Sequence, residues 1–177
     1  MSENEFPISH LFELGRLSQA GSEVFIAPSP EDLARIARWA DVEAVSSLNA
    51  KIDLRKLSPT RYVFDALLIA DIVQGCVVTL EPLRSHIERN FARELVLTPS
   101  SQRAEKEIAV EVSPLDDDGR EEIASLRYDL AVPVLEELAL AIDPYPRAPG
   151  VAFEPPAGQA DSPNRPFEAL KGLKRPS

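Results

Sequence analysis

Few side chains in this sequence have the types and spacing that chemistry needs. Cys76 and His86 are the one pairing of a thiol with an imidazole that would suggest a nucleophile and its general base. No strained elbow and no Gly-rich oxyanion loop flanks either of them, and a lone cysteine most often behaves as a small buried hydrophobe. His10 lies in a run of alternating apolar residues, where an imidazole serves as a structural polar contact, and it is too distant from His86 to share a metal. DDDG, Asp116 to Gly119, invites a calcium reading. The glycine offset of a calcium loop would place Pro114 at the first ligand position, so the stretch reads as a solvated turn. The seven glycines form neither GxGxxG nor GxxxxGK[ST]. We therefore expect no catalytic residue, no metal, no cofactor and no small-molecule substrate.

A different kind of signal closes the chain. RPFEALKGLKR, Arg165 to Arg175, places Phe167, Leu170 and Leu173 at i, i+3 and i+6, one face of a short helix that Pro166 can open. Lys171, Lys174 and Arg175 gather at its C-terminal end, where the helix dipole favours positive charge. A helix of this length does not hold in water by itself. Its apolar face must either dock back on the chain's own domain or fold onto a partner.

The elements that would position these residues follow from periodicity. Ile8, His10, Phe12 and Leu14 alternate with more polar neighbours, as do Val24 and Ile26, and each set predicts a short strand. SPEDLARIARWAD opens with a capping Ser29, Pro30 at the first helical position and two acids for the first turn. Leu48 to Arg55 alternates strictly and predicts a strand with one wet face, whereas Tyr62 to Val73 is apolar nearly throughout and predicts a longer, more buried one. In LRSHIERNFAREL the apolar residues lie four apart, which satisfies both templates. A hairpin through TLEP favours a strand, and Pro82 as a helix opener speaks for the alternative. Ile108, Val110 and Val112 predict a further strand, with residues up to Tyr128 pairing back. Val132 to Ile142 carries an amphipathic stripe stopped by Pro144, which predicts a second helix. Residues 144 to 177 hold eight of the sixteen prolines and read as an extended tether before the terminal segment.

The expected organisation is thus a single α+β domain over 6–143, mostly antiparallel sheet with two packed helices, then a Pro-rich tether over 144–164 and a short amphipathic recognition segment over 165–175. At 44% apolar residues the chain of 177 can bury a sizeable core. One cysteine excludes an internal disulfide framework and fits a reducing compartment. The N-terminus has no basic and apolar leader, and no apolar run reaches the roughly 20 residues a bilayer requires, so a cytoplasmic protein without a membrane partner is expected. The net charge of −10 is unevenly spread. Residues 104–143 carry 12 acids against 3 bases, whereas 144–177 carry 3 against 5. The acidic body repels phosphate backbones, so direct RNA contact falls to the small basic islands.

Two patches together resemble a family. CVVTLEP, with Cys76, Glu81 and Pro82, resembles the C-x-x-C-x-E-P type segment of the YceD-like large ribosomal RNA subunit accumulation proteins, and RPFEALKGLKR is similar to their terminal N-P-F-x-x-L-x-x-L-K signature. Pro166, Phe167, Leu170, Leu173 and Lys174 match the latter. The acidic Leu-rich stretch and the prolines that follow it also look like that family's layout. Thr79 departs from the pattern at the position where many relatives carry a second cysteine, which puts any metal or redox role of that pair in doubt here. The resemblance implies a bacterial cytosolic, non-enzymatic factor needed for 23S rRNA accumulation and tied to large-subunit assembly. Its partner would be 23S rRNA, a large-subunit protein or an assembly factor. The alternative is an acidic adaptor or chaperone that holds a basic ribosomal protein and makes no RNA contact.

Overall fold

Three long strands with period-two burial dominate the computed structural model, which describes residues 6–98 and 120–151. β3 (Ala44–Ser58), β4 (Arg61–Gly75) and β5 (Pro82–Leu97) form an antiparallel meander. β2 (Ser22–Ile26) pairs antiparallel on the far side of β3, and β6 (Arg120–Ile123) runs parallel to the last residues of β5. The order across this sheet is β2-β3-β4-β5-β6. β1 (Leu11–Glu13) and β7 (Arg127–Asp129) make a separate antiparallel pair. Among the described residues two helices, α1 (Pro30–Trp39) and α2 (Ala131–Ala141), complete an α+β fold.

β4 is central, and each of its alternate residues from Tyr62 through Gln74 is buried. Leu48, Ala50, Ile52 and Leu54 of β3 and Ile87 and Leu95 of β5 lie on that same inner face. α1 adds Ile36 and Ala37 to this core, and α2 adds Val134, Leu135 and Leu138. Phe64 is fully buried, with Phe91 edge-on at 6.1 Å and Tyr128 tilted at 6.5 Å between ring centroids. The outer face is mixed: β4 places half-buried Val63, Leu67, Ile69 and Val73 there between exposed Asp65 and Asp71. Lys51 pairs with Glu23, Arg55 with Asp65 and Arg61 with Glu94 there; exposed pairs of this sort keep the register without adding much stability.

Both helices begin and end where their residues dictate. The Ser29 side chain accepts the Asp32 N–H and Asp32 reaches back to the Ser29 N–H, a reciprocal capping box with Pro30 as first helical residue. α2 ends at Ala141, three residues before Pro144. The TLEP hairpin and the strand reading of residues 83–97 match the structure. The N-terminal strand is shorter than its alternation predicts: it covers only Leu11–Glu13, because His10 and Leu14 are held by bonds to Asp129, Leu130 and Leu126, and Leu14 enters a 3-10 turn. Residues 120–129 pair with β5 and β1, contacts that local pattern does not reveal; the strand expected over 108–112 and the DDDG turn lie outside the described residues.

A polar cluster joins the C-terminal half to the sheet. Arg93 on β5 lies 2.8 Å from Glu136, 3.8 Å from Glu121 and 3.9 Å from Glu137, and the Tyr128 hydroxyl donates to Glu121 at 2.7 Å. Burial and the Glu121 carboxylate both push Tyr128 ionisation far up, so it remains a donor. Replacing Ser29 with Ala should cost about 1 kcal/mol of unfolding free energy, and Phe64→Ala about 4 kcal/mol, both read from urea denaturation with unchanged slope.

Candidate functional site

CVVTLEP is the turn between β4 and β5, at the end of the sheet from which the chain leaves for its C-terminal segment. The Cys76 N–H donates to the Glu81 carbonyl and the Leu80 N–H to the Cys76 carbonyl, each at 2.8 Å, which closes the hairpin. Pro82 then opens β5 opposite Gly75, as the first residue of a strand whose other side has no partner there among the described residues, where a missing N–H costs nothing. Leu80 takes the left-handed conformation, φ +61°, which a leucine adopts at a cost of about 1 kcal/mol. It is also 81% exposed.

Cys76 is buried, as a lone cysteine usually is, but it is not merely apolar filling. The Thr79 hydroxyl first, then the backbone N–H groups of Thr79, Ala148 and Val78, hold the thiol down at about 6, outweighing the opposing effect of burial. Ala148 comes from beyond α2, and its N–H approaches Sγ at 3.4 Å. Two further bonds follow the same line: the Val77 N–H donates to the Pro146 carbonyl at 2.9 Å, and the Gln74 side-chain amide donates to the Asp143 carbonyl at 2.9 Å. Residues 74–77 thereby clamp residues 143–148 at three points. Gln74 is the one buried polar side chain of the described core, and its Oε1 has no partner among the described residues.

The clamp is rimmed by exposed apolar side chains. Val77 and Leu80 on the turn and Tyr145 on the clamped segment, 70% exposed, stand at the same end of the molecule. A cleft of about 660 Å³ lined by Leu33, Val42, Ala44 and Val45 lies between α1 and the start of β3, which pairs with the last part of β4. This end offers apolar surface with acidic groups, Glu43 and Asp143, close by.

The sequence motifs separate clearly in space. Cys76 and His86 do not meet: His86 stands opposite Asp71, about 17 Å further along the strand and on the outer face, its Nδ1 bound to Asp71 Oδ1 at 2.7 Å. His10 contributes its backbone to Asp129 and Leu130. Among the described residues no three His, Cys, Asp or Glu side chains gather as metal ligands would. Cys76, Glu81 and Pro82 come together in the turn, whereas Pro166, Phe167, Leu170, Lys171, Leu173 and Lys174 lie outside the described residues. Sequence reasoning marked Thr79 only as a departure from a pattern, and it missed Ala148 and Leu80, whose roles come from backbone geometry. Gln74 was detectable, since it is the one polar residue among the inward-facing positions of β4.

Comparison with protein-family models, with curated proteins and with solved structures finds no match to this chain. No described helix is long and apolar enough to cross a membrane.

Because the folded-state thiol titrates at about 6, below the ordinary thiol value, its stabilising effect is fully present above that ordinary value and is lost as pH falls through about 6. Stability of the wild type relative to Cys76→Ala should therefore rise with pH across that window. Thr79→Val, which removes the strongest donor, should shift the thiolate absorbance at 240 nm to higher pH; an unmoved titration would show that the hydroxyl does not hold the sulfur.

Proposed function

We propose that the chain is a cytoplasmic, non-enzymatic factor of ribosome biogenesis that supports 23S rRNA accumulation and large-subunit assembly by binding a ribosomal component. The observation that carries this reading is the clamp: the CVVTLEP turn grips residues 143–148, the root of the stretch that leads to RPFEALKGLKR. The turn that resembles the family's first motif thus holds residues 143–148, which precede the second motif along the chain. An anchored root with exposed Val77, Leu80 and Tyr145 suits a surface that receives a partner while the tail adds Phe167, Leu170 and Leu173. Lys171 and Lys174 suit rRNA phosphate or an acidic protein surface.

The acidic adaptor is the weaker reading. Part of the acidity it would use, Glu121, Glu136 and Glu137, already surrounds Arg93 within the fold.

Depletion of the protein from its native cell should lower 23S rRNA and large-subunit peaks; normal levels of both would sink the proposal. Affinity purification of the full chain should recover ribosomal RNA or protein that a version truncated after Pro163 loses, with thermal stability unchanged in the truncated form. Nuclease treatment separates the readings, because an association that survives it is protein-mediated. Leu80→Asn relieves the left-handed strain while removing the exposed apolar side chain, so it should keep stability within about 1 kcal/mol yet weaken partner capture.

A further inference from the structure

Strand β5 has a neighbour on only one side for most of its length. β6 covers Glu94–Leu97, so among the described residues Pro82–Arg93 forms a free sheet edge. The bonds at the two ends of β5 set which groups face that edge. Leu97 N–H goes to Thr60 on the β4 side, and Thr98 N–H goes to Ile123 on the β6 side. Antiparallel alternation then turns the N–H and C=O groups of Arg84, His86, Glu88, Asn90 and Ala92 outward. Long, regular edges of this kind pair with another strand unless they are blocked.

We infer that this edge pairs with the same edge of a second copy, antiparallel, with the two-fold axis at Ile87. The register follows from complementarity. With Ile87 opposite Ile87, the inner face places Leu83 against Phe91 in both directions, and the outer face places His86 against Glu88 and Arg84 against Asn90. Pro82, which has no N–H, falls at the end of the ladder opposite Ala92. A shift of two residues one way sets Glu88 against Glu88 and Ile87 against Arg89. A shift the other way sets His86 against His86 and Leu83 against Arg89. Of the three, only the first register meets apolar with apolar on the face that is already half-buried; the second opposes like charges, and the third pairs Arg84 with Glu88 but sets Leu83 against Arg89 and Ile87 against Ser85. It forms about ten main-chain hydrogen bonds. α2 is anchored over the same stretch, from Arg93 through Glu136 to Gln74 through Asp143.

Sedimentation equilibrium on the full chain, loaded up to about 100 μM, tests this against the 19.5 kDa monomer. A reversible dimer of twice that mass is expected. Glu88→Pro removes an outward N–H while leaving the bonds to β4 intact, and should weaken the dimer on the order of tenfold or more. His86→Glu opposes two carboxylates and should also weaken it, and the double variant His86→Glu with Glu88→Lys should restore it. Circular dichroism and Trp39 fluorescence confirm that each variant is folded. A chain that remains monomeric throughout overturns the inference. So does a dimer that ignores Glu88→Pro and His86→Glu.

Discussion

Everything in this fold hangs on removing one face of β4 from water. Tyr62, Phe64, Ala66, Leu68, Ala70 and Ile72 form a continuous apolar row, and a strand that long cannot bury it against another sheet strand alone. β3 and β5 extend the row sideways, and α1, α2 and the β1–β7 pair close over it. Because the side-chain period is two, a slip of one residue would turn Phe64 outward and Asp65 inward, so the apolar row sets the register of the whole meander. The outer face carries ion pairs around a half-buried strip of Val63, Leu67, Ile69 and Val73.

The row ends on Gln74, and what happens there shapes the rest of the molecule. An amide in an apolar position must find partners, and it finds one in the carbonyl of Asp143. Cys76, one inward position further, does the same through its sulfur and Ala148. The place where the core pattern gives way to polar atoms is thus where the C-terminal segment is attached. A turn that held only a buried cysteine side chain would have no such grip.

Some of this was legible from residue order. SPEDLARIARWAD marked its helix, because capping is a local exchange of hydrogen bonds among residues three apart. The alternation in β3 and the dense apolar run in β4 marked strands, and TLEP marked the hairpin that decides LRSHIERNFAREL in favour of β. The parallel join of β6 to β5 and the pairing of β1 with β7 were not legible. Their strands are three or four residues long, too short for periodicity to register, and they are specified by partners more than a hundred residues away in one case.

The amino-acid order by itself determined the fold class, the two helices, the polar and apolar faces of the meander and the composition of the terminal segment. Each depends on spacing along the chain. Only the tertiary structure decided that the Ala148 N–H reaches the Cys76 sulfur, that Leu80 stands strained and exposed, and that among the described residues β5 keeps an open edge. These are matters of where backbone N–H and C=O groups point. Side-chain pattern carries little information about that, because every residue but proline brings the same pair.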